Sequence, residues 1–570
     1  MFKMRRLVAA TYLGILCLTP SAIAQSQKGS SPKNADLIIT NARVYTVNSQ
    51  RPWAEAVAVS GDRIIFVGSS HDARAYKGAQ TKVVDAGGRL VLPGIQDSHV
   101  HFTSGSRSLE KVDLMGAKTI EEMQRRIKVF SESHTASAWV QGRGWMYATF
   151  PGNLPNKKFL DAVVPDRPAI MSCADGHTTW VNSKALALAG IDRDTKSPEN
   201  GIIVHDANGE PTGALQEAAS ELVWKVVPDP TREETLAALH QGLREAARVG
   251  VVRVHSLGGD FENLELLDQI RKEGGLTARF TVAYFVDPPG LDTKGWTLLM
   301  DARQKYHDDW IAQGGVKTML DGVIDSLTGA MIDPYAGQGS NRGKLFWDPA
   351  DYKMTVAELD AKGIQVSTHA IGDLAIRTAL DGYENAARVN GDHDMRHKVE
   401  HIEDISAADI PRFAKLKVIA SFQPLHANPE PNWMGSWITN VGPEREHRAF
   451  AWSAVSSQGG RLAFGSDWPV VTIDPWQGMQ MAVTRQDFDG QPPNGWMPKL
   501  RVTVAQTVRA YTLGGAYAMH RDQEEGSIET GKLADMIIVS QNVLAIDPHK
   551  IAETKVITTI VGGKIVYQTQ

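Results

Sequence analysis

The sequence predicts an α/β fold: a (β/α)8 TIM barrel carrying an inserted subdomain, joined to a composite β-sandwich built from both termini. Three patterns predict it. Eight short apolar runs ending in polar residues alternate with stretches of helical period, which is how parallel βαβ units read, and eight such units close a barrel. The stretch between the first and second of these runs is too long for one crossover, so it holds a subdomain of its own. Both ends of the chain carry short alternating runs broken by turn residues, and each set is too small to bury a face alone, so the simplest packing joins them.

In chain order, Lys3, Arg5 and Arg6 precede the apolar stretch 7–18, then Pro20 and the small-residue triplet Ala22-Ile23-Ala24. That order reads as a signal peptide over 1–24, too short for a bilayer span of about 20 apolar residues. An exported protein, periplasmic or secreted, without stable membrane insertion after cleavage is the expectation. Residues 25–34 read as a flexible linker. The first part of the sandwich is expected over 35–92, the barrel over 93–510 with its inserted subdomain at about 105–245, and the second part of the sandwich over 511–570. Barrel strands are expected at 91–101, 251–256, 279–285, 315–322, 364–370, 397–403, 418–423 and 461–467.

Composition narrows the function. The 570 residues are 42% apolar and 22% charged, which fits neither a disordered chain nor a polytopic membrane protein. The formal net charge is −5, and losing the three leader cations makes it more acidic, so no basic patch suggests nucleic acid as a partner. After cleavage one cysteine, Cys173, remains, and stability must come from the core and a metal rather than from disulfides. A small-molecule substrate fits these bounds; a homo-oligomer stays open.

The chemistry sits where the strands end. The first run closes on Asp97-Ser98-His99-Val100-His101, the fourth holds Val316-Lys317, the fifth Thr368-His369-Ala370, the sixth Glu400-His401, and the eighth Gly465-Ser466-Asp467. Residues two apart on a strand share a face, so His99 and His101 point the same way, a spacing that suits a divalent metal. Barrel active sites lie at this C-terminal end. Each residue also has a plainer reading: a lone strand-end histidine serves as a hydrogen-bonded core residue, and Asp467 could cap a following helix. Glu400 alternates away from His401 and reads as structural. Lys317 shares a face with Met319 and Asp321; buried, it either pairs with a carboxylate such as Asp321 or is no longer a cation. The glycine-rich run 337–344 lacks the Ser or Thr of a P-loop and reads as a loop over the barrel mouth, and neither His-Glu-x-x-His nor Gly-x-Ser-x-Gly occurs.

The runs Pro93-Gly94-Ile95-Gln96-Asp97-Ser98-His99-Val100-His101, Val316-Lys317, His369-Ala370-Ile371-Gly372-Asp373, Val399-Glu400-His401, Gly465-Ser466-Asp467-Trp468-Pro469 and Gly531-Lys532-Leu533-Ala534-Asp535 resemble the amidohydrolase superfamily. Asp175-Gly176-His177, the run 181–186 and Gly142-Arg143-Gly144-Trp145 are similar to its YtcJ-like branch, the group of N-substituted formamide deformylases. The resemblance implies that His99, His101, His369, His401 and Asp467 bind metal, one or two Zn2+ ions or another divalent metal, and that Lys317 is carboxylated and bridges them. It implies hydrolysis of a carbon–nitrogen bond other than a peptide bond, an amide or N-acyl group, through a metal-activated water, with Asp467 as general base and then acid. His177 would hold the substrate carbonyl, although it could equally be structural. Arg143, Trp145, His177 and Gln423 would line the substrate pocket, against the plainer readings of a salt-bridged arginine and a packed tryptophan. Lactone or ester hydrolysis, isomerisation on the same metals, and a non-catalytic exported binding protein are the alternatives.

Overall fold

The computed structural model describes residues 34–569 apart from 136, 175, 177, 199–200 and 259–260, so the expected signal peptide and nearly all of the linker lie outside the described residues. No helix among the described residues is long and apolar enough to cross a membrane.

Two sheets built from short β-branched runs make the sandwich. One holds Ala35–Thr40, Ala56–Ser60, Arg63–Gly68 and Lys77–Asp85. The other mixes the two ends of the chain: Leu90–Pro93 pairs antiparallel with Met536–Val539, setting Val91 opposite Ile538. The layer between them is filled from both ends by Ile39, Val57, Val91, Met536 and Ile560.

The barrel strands are Ile95–Val100, Val251–Ser256, Arg279–Phe285, Ile311–Met319, Val366–Ala370, Lys398–His401, Ile419–Phe422 and Arg461–Phe464, each parallel to the one before it. The expected first run, 91–101, is therefore two strands. At Gly94 the chain leaves the sandwich sheet, with the Gly94 amide still bonded to the Asp535 carbonyl and that of Ile95 to Gly250. Every residue from Leu90 to Val100 is buried, so the apolar pattern alone cannot show this change of partners. The sheet closes on itself past the eighth strand, where the Asp467 amide donates to the His99 carbonyl and the His101 amide to that of Trp468, each at 2.8 Å.

The insertion contributes a separate six-stranded sheet running from Val112–Asp113 to Pro211–Glu217, with its own apolar cores around Trp145, Trp180 and Leu215. Its expected far boundary needs correction. Helix Arg232–Val249, started by a Thr231–Glu234 capping box and stopped by Gly250 at φ 87°, lays Leu239, Leu243 and Ala246 into the barrel core, so it belongs to the barrel. Residues 511–519 likewise are not sandwich: they continue the helical stretch from Val504, and Gly515 packs against Gln96 of the first barrel strand. At the barrel floor, the buried pairs Arg253–Glu525 (2.5 Å) and Arg279–Asp535 (2.7 Å) tie the strands to the segment leading into the sandwich.

The seam between the first and eighth strands has no spare space. A Cβ on Gly465 would lie 2.5 Å from the His99 nitrogen and 2.8 Å from Asp97 Oδ1. Gly465→Ala is expected to destabilise the fold by about 1–3 kcal/mol through overpacking, read as a lower chemical-denaturation midpoint. An unchanged midpoint would mean the strands do not close as tightly as described.

Candidate metal centre

The seam brings the first strand's histidines against the acid that follows the eighth. Asp97 fixes this segment: its Oδ1 accepts from the amides of His99 (3.2 Å) and Ser466 (3.0 Å), and its Oδ2 from the Ser466 hydroxyl (2.6 Å). Asp467 then turns inward at φ 61°, a left-handed conformation that Asp tolerates better than most residues.

The Asp467 carboxylate stands among four imidazoles. Its Oδ1 lies 3.4 Å from His99 Nε2 and 3.2 Å from His101 Nε2. Its Oδ2 lies 4.0 Å from His401 Nδ1 and 3.7 Å from His426 Nε2. Burial works against its ionised form, but His99, His101 and His401 outweigh it and hold the carboxyl well below the usual carboxylate range. Burial lowers the His99 pKa to about 4 and that of His369 to about 3, with the Lys317 ammonium adding to both shifts, so these rings are neutral donors at ordinary pH.

Hydrogen bonds turn the rings toward the centre. His99 Nδ1 meets Glu400 Oε2 at 2.8 Å and His101 Nδ1 meets the Gly258 carbonyl at 3.4 Å, which leaves both Nε2 atoms facing Asp467. Glu400 is in turn paired at 2.9 Å with Lys398, whose ammonium also reaches the Ser98 carbonyl (3.0 Å) and His255 Nδ1 (3.1 Å). Against its burial, Lys398 and His99 hold Glu400 well below the usual carboxylate range.

These residues fit a divalent metal. His99 Nε2, His401 Nδ1, His426 Nε2 and Asp467 Oδ1 are buried with no hydrogen-bond partner among the described residues. Two donors each about 2.0–2.1 Å from a tetrahedral ion lie roughly 3.3–3.4 Å apart, and the observed separations of 3.2–4.0 Å bracket that spacing.

The other expected ligands border this cluster. The His369 ring lies 4.5 Å from that of His401, but its Nε2 is turned to the Gly322 carbonyl at 3.3 Å. Lys317 is buried, and among the described residues it makes no hydrogen bond or ion pair; burial lowers its pKa to about 8. Asp321 does not pair with it, because its carboxylate accepts the backbone amides of Ala330, Ile371 and Gly372.

Of the expected pocket residues, Arg143 reaches from the insertion to the Pro469 carbonyl, two residues past Asp467. Gln423, at the end of the seventh strand, is buried with both amide atoms unpartnered among the described residues. Trp145 takes the plainer reading of a packed tryptophan: it is 1% exposed, its indole donates to the Met171 carbonyl, and it fills the core of the insertion. His177 lies outside the described residues.

Two further corrections come from the sixth and seventh strands. Glu400 does not alternate away from His401; both face the interior, because His401 (φ 75°) and Ile402 (φ 54°) adopt left-handed conformations that break the period of two. His426 escaped the reading of strand ends because it sits beyond the strand, in the short 3-10 turn Pro424–Ala427. A histidine three residues after a strand-terminal glutamine was the signal available.

Four imidazoles converging with an acid at the C-terminal rim of a parallel barrel define a metal-dependent hydrolase of the barrel type. A model of the amidohydrolase family matches residues 82–567, and the chain belongs to that family. Protein LONG AFTER FAR-RED 3 of Arabidopsis thaliana is 32% identical over 94% of this chain and 92% of its own length. N-substituted formamide deformylase of Arthrobacter pascens is 27% identical over 94% of this chain and 98% of its own. Among solved structures, a metal-dependent hydrolase of Pyrococcus furiosus aligns with a TM-score of 0.70 at 25% identity, covering 89% of this chain and 99% of that one.

Removing the Glu400 charge leaves Lys398 buried without its counter-ion and weakens the hold on His99. Glu400→Gln is expected to lose metal to chelator about 10–100-fold more readily, and to lower unfolding stability by about 3–5 kcal/mol. Metal content after graded chelator dialysis, with denaturant unfolding alongside, checks both.

Proposed function

We propose that this protein hydrolyses a carbon–nitrogen bond, an amide or N-acyl bond of a small non-peptide or N-acylated substrate, outside the cytoplasm. The observation that carries the reading is Asp467: an acid held ionised and buried among imidazoles, whose Oδ1 has no hydrogen-bond partner among the described residues. His99, His101, Lys317, His369, His401 and Asp467 would hold one or two metal ions, and zinc suits this nitrogen and oxygen donor set. When bound, it activates water and polarises the scissile carbonyl. Asp467 takes the proton of the attacking water as the new carbon–oxygen bond forms, then passes it to the nitrogen as the carbon–nitrogen bond breaks. Arg143, reaching in from the insertion to the segment after the eighth strand, and Gln423, at the end of the seventh, are the groups that would orient the substrate. Similarity to a formamide deformylase supports the substrate class.

Asp467→Asn is expected to lose about 10²–10⁴-fold in kcat while the folded protein is recovered intact. The assay is amine release from N-formyl, N-acetyl and longer N-acyl amines, with and without chelator, beside esters and lactones. Turnover of esters alone, or amine release indifferent to chelator, would overturn the assignment.

In this proposal Lys317 is carboxylated: its neutral amine attacks carbon dioxide, a nitrogen–carbon bond forms, one proton leaves, and the resulting carbamate is an oxygen ligand. Burial favours the step, because at a pKa of about 8 the free amine rises from about a tenth of the population at pH 7 to about half at pH 8. Reactivation of metal-stripped protein by metal is therefore expected to require bicarbonate and to speed up from pH 6 to pH 8. Equal reactivation without bicarbonate would show that Lys317 stays a simple amine.

A further inference from the structure

Resting on the reading of this site as a metal centre, we propose that His426 is itself a metal ligand: with His401 and Asp467 it forms a second divalent-cation position, on the other carboxylate oxygen from the one facing His99 and His101.

The donor atoms fall into two groups that share only Asp467. His99, His101 and Asp467 form one and His401, His426 and Asp467 the other, and within each group the atoms lie within 4.8 Å of one another. Oδ1 serves the first group and Oδ2 the second. The His426 and His401 rings are parallel within 6°, their centroids 6.0 Å apart. His426 Nε2 is buried and has no hydrogen-bond partner among the described residues, and its 3.7 Å from Oδ2 is beyond a hydrogen bond. That separation is close to the roughly 3.3–3.4 Å expected of two atoms bound to one tetrahedral ion.

The turn that carries His426 is built to hold it still. Pro424 starts the turn, the His426 amide donates to the Gln423 carbonyl at 3.0 Å, and the His426 carbonyl accepts the Trp433 indole N–H at 3.1 Å. A side chain fixed at both sides of its own backbone, with its ring nitrogen facing an acid and another imidazole, has little other use for that nitrogen. His369, placed nearer by the chain's strand-end pattern, spends its Nε2 on the Gly322 carbonyl instead. His426 thus supplies the imidazole that this side of Asp467 needs.

The test loads the metal-stripped full-length protein with Zn2+ or Co2+ and counts equivalents by mass spectrometry of the metal under chelator competition. Wild type is expected to take two equivalents. His426→Ala and His426→Asn are expected to keep the first with little change and to bind the second at least about 100-fold more weakly, losing the Co2+ absorption that accompanies it. Equal melting of the metal-free variants and wild type shows that the fold is intact. Independently of any variant, an anomalous difference map of Zn2+-loaded wild-type crystals is expected to place an ion about 2.0–2.1 Å from His426 Nε2. Ions found only away from His426, or two equivalents held by the variants at wild-type affinity, overturn the proposal even if activity falls, since His426 would then serve the substrate. A wild-type chain holding one equivalent overturns the second position and leaves the hydrolase reading standing; one holding none removes that reading as well.

Discussion

Asp467 donates its backbone N–H to the carbonyl of His99, the His101 N–H donates to the carbonyl of Trp468, and through these two hydrogen bonds the segment after the last barrel strand is laid against the end of the first. Residues more than 360 positions apart in the chain become neighbours by backbone geometry, before any side chain or ion is considered. Each expected catalytic contact follows from that closure. The acid meets the paired histidines because the strands meet, and Gly465 is glycine because a side chain there would collide with the His99 backbone. Asp97 turns its carboxylate to the same seam rather than to the cluster of imidazoles around Asp467. Its role is to keep the rim closed while the neighbouring ring nitrogens stay free.

The rim is strained and polar, and the molecule below it compensates. His401, Ile402 and Asp467 all have positive φ, and conformations of this kind cost about 1–3 kcal/mol each. Ile402 is the least tolerant of the three, since its branched Cβ crowds the left-handed region. It is held there by an amide hydrogen bond shared between the Ala370 and Glu400 carbonyls. Unpartnered buried nitrogens on His99, His401 and His426 add to the cost of the metal-free state. A bound ion would relieve that burden, so the same feature that makes the metal-free rim unfavourable would favour a cation there.

How much of this the amino-acid pattern discloses depends on where backbone regularity holds. Along the regular strands, alternation and strand-end chemistry place His99 and His101 on one face and set Lys317, His369, His401 and Asp467 at one end of the barrel. The pattern fails where the backbone leaves the strand. At His401 the left-handed turn puts two successive side chains inward, which hides Glu400 from a rule of two, and in the turn after Phe422 it brings His426 to the centre from beyond the strand. The break at Gly94 is hidden for another reason, because the run from Leu90 to Val100 stays buried throughout while the hydrogen-bond partners change from one sheet to another. Trp145 shows a third limit: a large aromatic beside Arg143 on a rim strand serves the packing of the insertion as readily as a ligand, and only its depth tells which.

Beneath the rim, Glu400, Lys398 and His255 continue the line from His99 toward the middle of the barrel. Lys398 uses its three donors on Ser98, Glu400 and His255, so no proton of the ammonium is wasted inside the core. Glu400 could not remain ionised there alone; its charge is sustained by Lys398 on one side and received by His99 on the other. A hydrophobic filling of the same volume would be at least as stable, but it would leave the His99 ring free to rotate and its tautomer unset. The charged pair in the barrel centre therefore makes sense as orientation rather than stability. It fixes which nitrogen of His99 faces Asp467, and so which nitrogen is available to a cation.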